Sequence, residues 1–494
     1  MKNLLCTALI CLGLVHVCPA RADEDVIKPS VFFDLCMRDG KNYSESDEKK
    51  IISGLRQGCS INAKGGRRTV FMQIVRRAST ADLVKEALKF KPDLNARDYM
   101  GRSPFMIALA EKPLEIVELL WPFPFNGELR DAGGTPLTLL ALFNPDQRVL
   151  PRLLREKVPA AAKDVEGYSA VMRIARKEAK AEPAVLKMLH SRGADFNEID
   201  PQTGLTTLQT IFIKDKGLRF GNDEKKQMLL FLLLGASPDA KNRNGDTAFH
   251  AMLHQRDDGI GQTAAFLLAA KPNLALKDKS GATLLHALAS TVRDGGTRAN
   301  LCWQLLVAGA NKDEPDNAGI TPLMAAAESA SADVAFVLTQ AGADAGAISK
   351  EGLNALFYGI AGHMNAGAFR DCIIKSGADV NLQHKPTGMT PLIAGLLDGS
   401  TPDYAWYLIE AGADVNKADN EGRTPLMAAA LRQDYERLFD KLLGAGADKK
   451  ARSKLGKTAY DCLAQNPKLT APDKKELFEK LRAKLDPEAE EPAK

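Results

Sequence analysis

The residues "AGADVNKADNEGRTPLMAAA", 411–430, are polar and turn-rich in their first half and then change abruptly to Thr-Pro-Leu and a run of alanines. The stretch "SGADVNLQHKPTGMTPLIAG", 376–395, has almost the same layout, and its Thr390 lies 34 residues before the matching Thr424. A segment repeated at that spacing points to stacked supersecondary units, so the search for repeats precedes any count of domains. Without repeats, 494 residues would be read as two or three compact domains.

Moving outward, a Gly-x-Thr-Pro-Leu position or a degenerate form of it recurs along the chain. Its threonine equivalents are Thr69, Ser103, Thr135, Ser169, Thr206, Thr247, Thr283, Thr321, Asn354, Thr390, Thr424 and Thr458, at separations of 32 to 41 residues. Each anchor has a physical meaning. A Thr or Ser oxygen satisfies an orphan N–H of a helix start, and Pro at the next position fits the first turn. The small residues that follow form a first helix able to approach its neighbours closely. A second helix carries apolar pairs such as Leu305 with Leu306, Leu408 with Ile409, and Leu442 with Leu443. It ends at Gly309, Gly342, Gly377, Gly412 or Gly446, where a left-handed cap is easily adopted. Lys91, Phe123, Lys157 and Lys271 stand at degenerate cap positions. The polar Asn, Asp and Gly residues after each cap suit tight turns.

These residues resemble the ankyrin repeat, with its Gly-x-Thr-Pro-Leu-His-x-Ala and Gly-Ala-Asp-x-Asn signatures. The resemblance runs over about residues 31–485 and is most specific at 309–458. It implies an all-α ankyrin-repeat solenoid of about thirteen stacked helix pairs with hairpin loops projecting between them. The expected organisation is a signal peptide at 1–22, an N-terminal capping helix pair in 23–65, the repeat array at 66–457, a C-terminal capping pair at 458–485 and a disordered tail at 486–494. Cap-to-anchor distances stay nearly constant while anchor-to-cap distances vary, so extra length falls within the helix pairs. The largest excesses, 214–226 and 291–300, are read as solvated insertions on the edge opposite the hairpin tips.

The opening "MKNLLCTALICLGLVHVCPARA" has Lys2, an apolar run at 4–17 and a small-x-small site at residues 20–22. It reads as a secretory leader cut after Ala22, and with it the resemblance to exported bacterial ankyrin-repeat proteins implies a mature chain in the periplasm or outside the cell. The run is shorter than the roughly 20 residues that span a bilayer, so no membrane insertion is expected. Loss of the leader removes three of the eight cysteines and leaves Cys36, Cys59, Cys302, Cys372 and Cys462. An odd, scattered set is not a disulfide framework; Cys36 and Cys59 form the one pair close enough in sequence to test. With 26% charged residues and a net charge of +4, the composition gives no argument for nucleic acid as a partner.

No catalytic constellation emerges. "LGKT", 455–458, ends like a phosphate loop, but Ala451 stands where that loop needs Gly, and the repeat anchor accounts for all three of its matching residues. His250 and His254 have metal-compatible spacing, yet His250 and His286 occupy the anchor histidine, which the resemblance implies bonds adjacent loops. Cys302 beside Trp303, and Cys372 beside Ile373 and Ile374, read as helix packing. Neither cofactor, metal nor small-molecule substrate is expected, and the chain is read as non-enzymatic.

What varies between repeats is the hairpin tip. Candidate partner-binding residues there are Tyr99, Met100, Arg102, Val165, Glu166, Tyr168, Arg243, Asp246, Lys279, Ile320, Lys385, Met389, Glu421 and Arg423. Exposure is expected of the apolar and aromatic ones, which then pack on their own repeat or on a partner. The resulting expectation is an exported protein–protein interaction scaffold using the tips and the concave face. The client could be a periplasmic protein it supports, a toxin it neutralises as an immunity protein, or a host protein it engages as a secreted effector. The rival from another class is an enzyme with a site in the 214–300 insertions, for which the sequence supplies no acid–base pair.

Overall fold

The computed structural model describes residues 27–38, 42–122, 126–214, 217–218, 221–254, 260–290, 295–398, 402–469, 474–486 and 488. The leader expected at 1–22 lies outside them, as does the tail apart from Asp486 and Glu488. The protein divides into two compact units, one of residues 1–211 with 223–237 and one of 212–222 with 238–494.

In the first unit the helix pairs are α1 (Pro29–Met37) with α2 (Glu45–Arg56), α3 (Val70–Arg77) with α4 (Ala81–Leu88), and α5 (Pro104–Glu111) with α6 (Leu114–Leu119). They continue as α7 (Leu137–Leu142) with α8 (Val149–Leu153), α9 (Ala170–Ala175) with α10 (Pro183–Ser191), and α11 (Thr207–Phe212) with α12 (Asn222–Leu233). Phe212 and Asn222 fall in the second unit. Its pairs are α13 (Ala248–Leu253) with α14 (Ile260–Ala269), α15 (Leu284–Ala289) with α16 (Gly295–Val307), and α17 (Pro322–Glu328) with α18 (Ala332–Gln340). Then come α19 (Ala355–Ala361) with the short α20 (Ala366–Ala368), which runs into a π-helical turn at Phe369–Ile374, and α21 (Pro391–Asp398) with α22 (Pro402–Glu410). The last are α23 (Pro425–Arg432) with α24 (Glu436–Gly444) and α25 (Ala459–Leu463) with α26 (Lys475–Leu485). Among the described residues the fold is an all-α solenoid architecture of thirteen helix pairs. Strands are confined to two-residue hairpins, Lys64–Gly65 with Arg68–Thr69 and Ile213–Lys214 with Gly217–Leu218.

The sequence explains where each first helix starts. Thr69, Ser103, Ser169, Thr321 and Thr424 accept the backbone N–H three residues on, and Pro104, Pro322 and Pro425 open their helices. Thr135 departs from this rule. Its N–H donates to Asp131 at 2.8 Å and Pro136 bridges to Arg130, so Thr135 stays in the hairpin and α7 starts one residue late without a side-chain cap. First helices are buried almost all round: Pro322 to Ala327 of α17 and Pro425 to Ala430 of α23 are all core residues. Second helices bury one face, as with Leu438, Phe439 and Leu442 of α24. First helices thus form an inner row and second helices an outer one.

Among the degenerate caps, Lys91 and Lys271 take the left-handed conformation, with φ of 53° and 52°. Lys157 does not, and Phe123 lies outside the described residues. The expected insertions prove to be partly helical. Residues 222–226 are the opening turns of the 12-residue α12, and 295–300 those of the 13-residue α16. Extra chain lengthens the second helix, where each added residue gains an intrahelical hydrogen bond.

Candidate interaction surface

Each hairpin tip is fastened by one side chain. Asp98 Oδ1 accepts from the N–H groups of Met100 and Arg102, each at 2.9 Å. Asp164 does the same for Glu166 and Tyr168, Asn242 for Asn244 and Asp246, Asp316 for Ala318 and Ile320, and Asp419 for Glu421 and Arg423. The glycine after it turns the chain back. At Gly388, with φ of 71°, a Cβ would fall 2.4 Å from the backbone nitrogen of Asn420, so the next hairpin leaves no room for a side chain.

Neighbouring hairpins are joined by backbone hydrogen bonds. Tyr99 N–H donates to Arg67 and Ala132 to Met100 in the first unit; Asn317 donates to Ser280, Lys350 to Ala318, Asn420 to Thr387 and Lys454 to Glu421 in the second. Where Gly-Ala-Asp-x-Asn is complete, its asparagine fixes the other end of the loop. Asn381 donates to Gly412 O at 3.2 Å and accepts from Asp414 N–H at 2.8 Å, and Asn416 repeats both contacts one repeat later. The tips are therefore preorganised, which lowers the ordering cost of binding through them.

The anchor histidines behave as the resemblance implies. His286 Nδ1 accepts from Thr283 N–H at 3.1 Å, and Nε2–H donates to Ile320 O of the next hairpin at 2.9 Å. That geometry requires a neutral ring. Burial, followed by weaker opposing contacts, lowers the pKa of both His286 and His250. His254 lies apart from this pattern, its side chain half exposed and facing Asp246. Among the described residues no group of three His, Cys, Asp or Glu side chains is placed to share a metal ion. Burial pushes the Cys36 and Cys302 thiols up to about 12, far from a nucleophile's range. Both are free thiols, and so is the half-buried Cys59. Gly456 and Thr458 of "LGKT" are a tip glycine with φ of 74° and the cap of α25. A cleft of about 230 Å³ beside Phe143, Pro145 and Ala181 is smaller than most small-molecule sites.

The candidate tip residues separate into free and engaged ones. Met100, Val165, Glu166, Arg243, Lys279, Lys385 and Glu421 are exposed. Lys279 also donates to Arg243 O, and Glu166 pairs with Arg173 at 2.8 Å. Ile320 and Met389 are half-buried, as are Arg102 and Arg423, which pair with Asp131 at 3.2 Å and Asp419 at 2.9 Å. One expected exposure fails at Tyr168, and one candidate contact residue, Asp246, is buried. Tyr168 is only 5% exposed, its ring covered by the Arg173 and Arg176 guanidinium groups at 4.2 and 5.0 Å. Asp246 is buried within its own hairpin, its N–H bound to Asn242. Tyr99 stays 52% exposed but carries Arg67 and Arg68 at 5.1 and 5.0 Å from its ring, so it packs on its own repeats.

Reading the sequence by its tips missed a second surface. Trp303, taken for a packing residue beside Cys302, is 53% exposed on α16, and Val307 of the same helix and Phe336 of α18 are exposed too. Leu229 and Leu233 of α12 in the first unit are likewise exposed. The available signal was position: Leu229, Trp303 and Phe336 each stand six residues before a cap glycine.

Among the described residues no helix is long and apolar enough to cross a membrane. The family of "Ankyrin repeats (3 copies)" matches residues 369–453. The nuclear factor NF-kappa-B p105 subunit of Gallus gallus is 32% identical over 233 residues, 45% of this chain and 22% of that protein. Ankyrin repeat and SOCS box protein 6 of Homo sapiens is 32% identical over 98 residues, 19% of this chain and 23% of its own length. Protein phosphatase 1 regulatory subunit 27 of Mus musculus is 37% identical over 76 residues, 15% of this chain and 47% of its own. The chain thus spans less than half the length of each of these relatives. The solved ankyrin repeat domain of Bcl-3 aligns over 44% of this chain and 95% of that domain, at 23% identity and a TM-score of 0.37. Residues 369–453 thus carry ankyrin repeats, and the capped hairpins described above show the same layout in other parts of the chain.

Proposed function

We propose that the protein is an exported, non-enzymatic scaffold that binds a protein partner through its hairpin row. The observation that supports this most is the tip ladder. In each unit its backbone is held by repeated hydrogen bonds, while its exposed side chains change from repeat to repeat, Val165 and Glu166 in the first and Lys279, Lys385 and Glu421 in the second. A rigid frame presenting varied side chains gives specificity at low ordering cost. One of the similar proteins is by name a regulatory subunit. In the same sense, this array serves a client protein in the periplasm or outside the cell.

The test is affinity capture from the producing cell with the wild-type chain and a Val165→Asp, Lys385→Glu, Glu421→Lys variant of unchanged helical content. The reading expects at least one specific protein whose capture falls about tenfold or more in the variant. Equal capture by both chains overturns the tip surface. Export is checked by N-terminal sequencing of the mature protein, which should begin at Asp23; a chain retaining residues 1–22 contradicts that part.

A further inference from the structure

In the outer row of the second unit, α14 packs against α16 and α16 against α18. The sequence of these three helices contains two charged residues, Arg298 and Asp333. Arg298 is buried and Asp333 half-buried, so neither charge stands free on the surface. Gly296 and Asn300 are exposed at the start of α16, and beyond them what faces outward is Ala265 and Ala269, then Trp303 and Val307, then Phe336 with Gln340. Within each helix these positions lie four residues apart and share one side. Trp303 is 53% exposed, Val307 71% and Phe336 52%.

Outer rows elsewhere look different. In the first unit Glu115 and Glu118 of α6 pair with Arg148 and Arg152 at α8. In the second, Glu410 of α22 pairs with Lys441 of α24, and Glu436 and Asp440 of α24 pair with Lys484 of α26.

We propose that the uncharged face of α14, α16 and α18 docks a second copy of this chain, face to face, as a weak two-fold dimer. A two-fold interface brings a surface onto itself, so every charge near the axis meets its like. The ion-paired outer helices would carry that penalty. This face does not, and it offers two large aromatic anchors of the kind that dominate binding energy. Its size sets the strength. Helices of 10, 13 and 9 residues, at about 1.5 Å per residue and about 9 Å apart, present about 450 Å² per copy and about 900 Å² in all. Stable complexes bury about 1,200–2,000 Å² and smaller contacts are transient, so the dimer should form reversibly.

The experiment is sedimentation equilibrium of the full chain from about 1 to about 100 μM, the range where weak dimers are half-formed. Trp303→Lys and Phe336→Lys variants are run beside it, with Leu455→Lys as a control at an 82% exposed hairpin tip. All four chains are first matched by circular dichroism melts. The proposal expects a wild-type dimer, a rise in Kd of about tenfold or more in each of the two face variants, and no change in the control. A wild-type chain that stays monomeric throughout overturns it and leaves the face to a foreign apolar partner. A dimer unchanged by Trp303→Lys and Phe336→Lys overturns it as well, because the contact then lies elsewhere. Neither result bears on client capture through the hairpin tips, which is measured separately.

Discussion

Trp303 and Trp406 stand at the same place in their repeats, six residues before Gly309 and Gly412, and meet opposite surroundings. Trp406 is half-buried, its indole N–H donating to Glu410 at 2.9 Å and its ring lying 4.7 Å from the Lys441 ammonium of the next outer helix. Trp303 has more than half its surface in solvent, on a helix whose packed neighbours α14 and α18 carry one charged residue between them, the half-buried Asp333. The repeat determines where a side chain points. The residues of the next repeat determine whether it is covered. Function on such a scaffold therefore lies in the differences between equivalent positions.

The comparison holds only if both helices bury their inner sides alike. Leu305 of α16 and Leu442 of α24 are both fully buried, so Leu305→Ala and Leu442→Ala should each cost about 2–5 kcal/mol in urea melts. A negligible cost at Leu305 alone would mean that α16 is poorly packed, and the exposure of Trp303 would then reflect a loose helix.

Acid sharpens the contrast. His250 and His286 belong to the α13 and α15 repeats, beside Trp303, and burial lowers the pKa of both. Because the folded pKa lies below the unfolded value of about 6.5, their contribution is complete above that pH and is lost as pH falls through it towards the folded value. Protonation also puts a hydrogen on Nδ1 of His286, where it faces the Thr283 N–H. Mild acid should loosen the Trp303 region before the Trp406 region, read from each tryptophan's fluorescence with the other replaced by Phe. Replacing His286 by Ala should cost about 1–3 kcal/mol at pH 7.5, since it leaves the Ile320 carbonyl and Thr283 N–H without their partner. Simultaneous loosening of both tryptophan regions would remove the histidines as its cause.

Smaller effects follow at the surface. Lys441→Ala should cost about 0.5–1 kcal/mol and shift Trp406 emission to the red. Trp303→Ala should change the stability of the monomer by less than about 0.5 kcal/mol. A large loss there would show that Trp303 is held by its own repeat.

Much of the fold could be read from the anchors, because capping chemistry is local: Thr424 bonds Met427 whatever surrounds them. The histidine links were expected only from the resemblance to the ankyrin repeat, since each ring's acceptor lies in the next hairpin. The tips were legible in position but less so in exposure. Tyr168 is covered by Arg173 and Arg176, five and eight residues on, which only the folded hairpin brings over its ring. Trp303 was misread because an aromatic beside a buried Cys302 looks like core, and helix phase decides that one turns in and the other out. The insertions were located within the helix pairs but read as loops, because length variation shows in sequence without saying whether the added residues are helical.

The central claim is that one array carries two surfaces of different kinds, and site-specific photo-crosslinking in the producing cell tests it most directly. Probes at Val165 and Glu421, on the tips, and at Gln340, beside Phe336, separate them. The account predicts that the tip probes capture a foreign protein and that the Gln340 probe gives a product of twice the chain's mass. Foreign crosslinks at Gln340 with both tip probes silent would contradict it.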